Sequence, residues 1–181
     1  MDRDHANLCR RINQSLKAMD QADHIKKFKG KTDDREITII RVVDAPRNLV
    51  YKTFTQAEHL VNWWGPAGFS IDIQEIDVRV GGRWRYMMSG LDMVFPNFIS
   101  YLEVVEPERL VYLHGSNEEE EPEFMATITF EEQGAKTKIT MHSVFVTAAV
   151  RNFVVTEFHA IEAGNQGLDK LENYIKTQQI K

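Results

Sequence analysis

Cysteine occurs once in the 181 residues, at Cys9, so neither an intrachain disulfide nor a thiolate-based zinc cluster can form. Nothing around Cys9 activates a thiol, and it reads as incidental. No apolar run approaches the ~20 residues that cross a bilayer. The N-terminus also lacks the apolar core of a secretory signal, so a cytoplasmic protein without a membrane span is expected. The chain has no GxSxG nucleophile elbow, no P-loop and no GxGxxG, which removes the usual signatures of serine hydrolysis and of phosphate or dinucleotide binding. Its six histidines (His5, His24, His59, His114, His142 and His159) show no HxxxH or HExxH spacing and no Cys partner. No metal and no cofactor is expected on that pattern. A basic stripe interleaved with aromatics is missing from the main body, and the net charge is −5; both argue against a nucleic-acid partner.

What remains is ordinary globular composition, 43% apolar and 27% charged, at a length that suits one domain. The charge is uneven. Residues 1–31 hold eight Lys and Arg against four Asp, a net +4, which leaves −9 for the rest. Residues 1–35 therefore read as a basic helical leader and linker, and 36–181 as the domain. In the leader, Leu8, Ile12, Leu16 and Met19 make one helical stripe, with Arg10, Arg11, Gln14 and Lys17 on other faces. Either this helix packs on the domain, or it docks a partner or an anionic surface. The stripe is narrow and holds no Trp, which weakens the membrane version.

The domain begins with a β-branched strand, Ile37 to Val43, and Ala45-Pro46 opens a helix. Trp63 and Trp64 stand side by side before Gly65-Pro66, which stops the helix and fixes a wall or lid. Phe69, Ile71 and Ile73 alternate with polar residues, and then the apolar phase shifts to Ile76, Val78 and Val80. That change of parity predicts a β-bulge at Gln74-Glu75. Gly81-Gly82 predicts a hairpin turn before a strand from Arg83 to Ser89. Gly90 to Pro96 reads as loop, and Phe98 to Val105 and Leu110 to His114 read as strands. Glu118 to Glu121 repel one another and read as a solvated tip, followed by a last hairpin, Phe124–Phe130 and Thr137–Phe145. From Thr147 or Ala148, the stripe Val154, Phe158, Ile161, Leu168, Leu171 and Ile175 predicts one helix of about seven turns. Gly164 and Gly167 inside it are expected to permit close packing.

A strand, two short helices, six sequential strands and a long helix make an α+β fold, an antiparallel sheet with helices on one face. This order, with FTQAEHLVNWWGP (Phe54–Pro66) and the following Gly-Gly-Arg-Trp (Gly81–Trp84), resembles the activators of Hsp90 ATPase homologues. That family lies in the START-like, Bet v 1-like (SRPBCC) superfamily, and the resemblance covers roughly residues 36 to 176. It implies the helix-grip architecture, a curved sheet wrapped around a long C-terminal helix, often with an interior cavity for an apolar ligand. Trp84, Tyr86, Met88, Phe98, Tyr112, His114 and Met125 on the middle strands, facing Phe158 and Ile161 on the helix and walled by Trp64, suit such a cavity. They suit a dry core equally. The family's last helix carries Gly-Trp where this chain has Gly164-Asn165, so Asn165 is a candidate polar contact. Glu157 faces water or pairs with Arg85.

Three functions follow as expectations. The first is non-enzymatic binding of a small hydrophobic or amphipathic molecule. The second, implied by the family name, is co-chaperone-like regulation of an Hsp90-type ATPase, with its link to the stress response. The third is a cyclase- or dehydratase-type enzyme, which needs an acid/base pair inside the cavity; no such pair can be assigned.

Overall fold

Period-two alternation builds most of the molecule. The computed structural model describes residues 23–179; the leader stripe and Cys9 lie outside the described residues. Seven antiparallel strands form one sheet in the order β1-β7-β6-β5-β4-β3-β2. They are β1 (Glu36–Val43), β2 (Ser70–Ile76), β3 (Arg83–Gly90), β4 (Met93–Val105), β5 (Arg109–Gly115), β6 (Phe124–Gln133) and β7 (Lys136–Phe145). Strands β1 and β2 occupy opposite edges, so the chain between them must cross the sheet, about 29 Å at the usual strand spacing. Helices α1 (Arg47–Thr55) and α2 (Ala57–Leu60) make that crossing over one face. Two bulges curve the sheet around them, the expected one between Ile73 and Glu75 and a second between Tyr101 and Glu103.

A chain of rings fills the concave side. Phe130 meets Phe54 at 5.0 Å, Phe54 meets Trp63 at 4.6 Å, and Trp63, Trp64 and Trp84 follow at 5.2 and 5.0 Å. Trp84 then stacks on Tyr86 at 4.4 Å. Helix α2 ends at Leu60, short of the expected stop at Gly65-Pro66, and the two indoles turn inward from the turns between them. Trp63 Nε1 donates to Thr53 O at 2.8 Å, and Trp64 Nε1 to the Tyr86 hydroxyl at 3.0 Å.

The expected single terminal helix is two. Helix α3 (Ala148–Glu157) is capped by Thr147, whose side chain accepts from Val150 N, and α4 (Ala160–Gln179) starts after a break. At the break His159 takes φ 49°, a left-handed conformation that His tolerates better than most residues. The break turns Phe158 and Ile161 out of the buried stripe, leaving them 50% and 40% exposed. Leu168, Leu171 and Ile175 carry the burial of α4. Gly164 does permit close approach, since a Cβ there would lie 2.4 Å from Ile39 Cδ1.

Residues 93–96 are strand rather than loop, reached by a turn at Leu91-Asp92. Strands β3 and β4 run through Gly90↔Met93, and Leu91 and Asp92 both take positive φ, as a type I′ turn requires. Pro96 is tolerated because β4 pairs with β5 only from Phe98 onward, so its missing N–H breaks no ladder there.

The outer face has a core of its own. Phe28 packs on Leu113 and Val144, with Leu102, Met125 and Val146 around them. The Arg35 guanidinium donates to Lys27 O (2.9 Å) and Phe145 O (2.6 Å), so residues 23–35 are strapped to the convex side. The acidic tip is tied down as well. Glu118 lies 2.8 Å from both Arg83 and Arg85, and Glu121 pairs with Lys27.

Candidate functional site

Partners in an antiparallel register share a face, so the pairings assign each side chain to one side of the sheet. One row on the concave face runs Trp84, Ile99, His114, Phe124, Phe145 across β3 to β7. The next row toward the α3 end places Tyr86 beside Asn97, and the one beyond it Met88 beside Phe95. Phe95 reaches Phe158 at 6.0 Å, and Phe158 reaches Phe153 at 5.6 Å. Helix α3 closes this end with Val150, Val154 and Val155 packed against the core, yet none of its residues is fully buried.

Polar atoms in this ring-lined setting are few and fixed. Asn97 Nδ2 donates to Phe95 O at 2.9 Å, which orients the amide, and its Oδ1 then accepts from His114 Nε2–H at 3.2 Å. The network therefore assigns the Nε2–H tautomer and leaves Nδ1 of His114 as a bare acceptor. That atom is buried without a hydrogen-bond partner, and so is Nε1–H of Trp84. His114 lies flat on Phe124, 4.4 Å between centroids. Desolvation lowers its pKa to about 4, so the ring is neutral near pH 7. Burial likewise pushes the Tyr86, Tyr101 and Tyr112 phenols up.

The eleven residues expected to line one cavity fall in three places. Trp64, Trp84, Tyr86, Met88, Tyr112 and His114 do share the concave side. There Trp84 and Tyr86, at 1% and 2% exposure, are packed against one another. Phe98 and Met125 belong to the other face. Phe98 is opposite Arg85, whose guanidinium stands 5.5 Å over its ring, and it lines a groove of about 400 Å³ with Arg83, Ser100 and Leu113, a groove that His114 also borders. Met125 packs in the Phe28 cluster. Phe158, Ile161 and Asn165 sit where α3 meets α4, and the last two border an open cleft of about 430 Å³. The Asn165 amide is already engaged, donating to Ile161 O (2.9 Å) and accepting from Arg41 Nη2 (3.4 Å). Glu157 is exposed.

Three residues that matter carried no signal of their own in the sequence. Asn97 fell between the expected loop, Gly90 to Pro96, and the expected strand from Phe98. Arg41 reaches from β1 to Asp169 (2.6 Å) and Glu172 (2.9 Å), tying α4 to the sheet edge, and these carboxylates hold its pKa above the usual arginine value. Lys170 donates to Gly65 O and Phe69 O at 3.1 Å and Pro66 O at 3.4 Å, clamping the Trp-Trp-Gly-Pro turn onto α4. Partial burial lowers its pKa.

The hydrogen-bond neighbour of His114 is an amide, not the carboxylate that would orient a general base. Among the described residues no group of three His, Cys, Asp or Glu could hold a metal, and no helix is long and apolar enough to cross a membrane.

A curved antiparallel sheet closed by a long C-terminal helix, with rings between them, defines a helix-grip protein. The model of the "Activator of Hsp90 ATPase homolog 1-like protein" family matches residues 44–176, and the chain belongs to that family. A crystal structure of a Nitrosomonas europaea protein is similar at 25% identity and TM-score 0.74, covering 82% of this chain and 99% of that one. A Mycobacterium smegmatis protein shares the fold at 23% identity and TM-score 0.74, over 83% and 96%. An AHSA1-like protein from Aeromonas hydrophila shares it at 17% identity and TM-score 0.63, over 81% and 95%. No curated protein matches the chain.

Proposed function

We propose that this chain binds a small, predominantly apolar molecule, without transforming it, at the α3 end of the concave face. The observation that carries the reading is the state of α3. It packs Val150, Val154 and Val155 against the core, and Phe158 at its end reaches Phe95, yet it contains no fully buried residue of its own. Lifting such an element, with His159 as the hinge, disturbs far less packing than moving α4 would. Apolar walls with a small number of fixed polar groups are the general form of a small-molecule site. Family membership is compatible with this role.

Titration with 1-methoxynaphthalene, an uncharged probe followed by fluorescence, tests it. Saturable binding that is abolished by Val154→Trp, which puts a bulky ring where α3 packs on the core, supports the reading. Binding unaltered by that substitution contradicts it.

A second reading, regulation of an Hsp90-type ATPase, is favoured by the family's description and by the apolar β3–β4 hairpin, where Leu91 and Val94 are 74% and 60% exposed. Exposed apolar clusters of this kind mark protein contacts. ATPase turnover of the host's Hsp90-type chaperone, with and without the full chain, tests it. An unchanged rate counts against it.

A further inference from the structure

A buried polar atom without a partner costs free energy, so a protein seldom keeps one on an inner surface without use. The concave face keeps two in one row, the Nδ1 lone pair of His114 and the Nε1–H of Trp84. We infer that the ligand is uncharged and carries a hydrogen-bond donor, a hydroxyl or an amide N–H, that His114 Nδ1 receives. This rests on the ligand-binding reading of the same site.

Elimination supports the class. A carboxylate or phosphate would bring lone pairs against a lone pair, and relief by protonating the imidazole is opposed by desolvation, which lowers that pKa to about 4. The ring also cannot turn its other nitrogen to the ligand freely. Nε2–H is held by Asn97, and Asn97 by Phe95 O. A bare ammonium is disfavoured at Nδ1 because His114 lies flat on Phe124 and its hydrogen-bond neighbour is a neutral amide, so a charge there would be desolvated beside no carboxylate partner of the ring. A neutral donor remains. Trp84 stands two strand spacings from His114, about 10 Å between backbones, with Ile99 between them. Its N–H suits an acceptor oxygen on the same molecule. The ligand class is a hydroxyl- or amide-bearing aromatic or alicyclic compound, admitted when α3 lifts.

The test titrates the full chain near neutral pH with 1-naphthol, its methyl ether 1-methoxynaphthalene, and 1-naphthoate, which share a ring system and differ in the polar group. 1-Naphthol is expected to bind about tenfold more tightly than the ether, the value of one added hydrogen bond, with 1-naphthoate weakest. In His114→Phe the ratio of naphthol to ether falls to near one. The imidazole 15N spectrum of the unaltered protein gives a reading that needs no variant. The Nδ1 resonance moves on adding 1-naphthol and stays in place with the ether. Equal affinity for naphthol and ether, or tightest binding of the naphthoate, overturns the inference while leaving ligand binding intact. Failure of all three compounds to bind overturns both.

Discussion

Replacing His114 by Gln removes an ionisable ring but keeps a donor for Asn97, and the consequence for stability can be worked out. The folded-state pKa is lowered to about 4 from 6.5. Between those values the unfolded chain binds a proton that the folded chain refuses. The contribution is therefore present in full above pH 6.5 and is lost as pH falls toward 4. Going from about pH 7.5 to about pH 5 spans some 1.5 units of that window, so the parent should lose about 2 kcal/mol through this one group. The remaining groups are common to both proteins and cancel in the comparison. Glu36, for example, has a lowered pKa, held down by Thr32 and His142. The difference between parent and His114→Gln isolates the imidazole. Urea denaturation followed by tryptophan fluorescence at the two pH values is the assay. The reasoning is refuted if parent and variant lose stability equally, to within about 0.5 kcal/mol, the ordinary scale of a surface change. That result would mean the ring is solvated and Nδ1 is not an orphan.

Other expectations concern how the grip is held. Lys170→Met removes the ammonium that holds two carbonyls of the Trp-Trp-Gly-Pro turn and that of Phe69 just beyond it. It should cost about 2–3 kcal/mol, read as a fall in Tm of about 5–10 °C. Gly164→Ala should become favourable only when Ile39→Val removes the methyl group in its way; a double-mutant cycle should give coupling of about 1 kcal/mol. Phe28→Ala, which empties the outer cluster where Phe28 is 3% exposed, should lose about 3 kcal/mol by denaturant titration, and a negligible loss would detach residues 23–35 from the domain.

Much of the architecture was legible because the strands obey period two and the breakers are strong. The bulge at Gln74-Glu75 announced itself as a change of parity, whereas the helix expected to run up to Gly65-Pro66 ends earlier, at Leu60. The face of Met125 was also readable, since it alternates with Ala126, Ile128 and Phe130 and keeps company with Thr127 and Thr129. Phe98 was not. Strand β4 is apolar on both faces because residues 23–35 cover the outer one, so alternation there carries no direction. The α3–α4 break lacks Gly and Pro and continues the stripe spacing across Phe158 and His159. The hairpin at Leu91-Asp92 uses positive φ without glycine, and Pro96 disguised the strand beyond it. Consequently Asn97 was hidden, and the polar pair it forms with His114 depends on a register that residue types do not display.

Amide hydrogen exchange on α3, with and without 1-naphthol, goes most directly to the question of ligand capture beneath that helix. Amides of Val150 to Glu157 should exchange well ahead of those of Leu168 to Ile175 in the free protein and slow markedly when the compound is added. Protection of α3 equal to that of α4 in the free protein, or slowing confined to the Arg83–Phe98 groove on the opposite face, would contradict it.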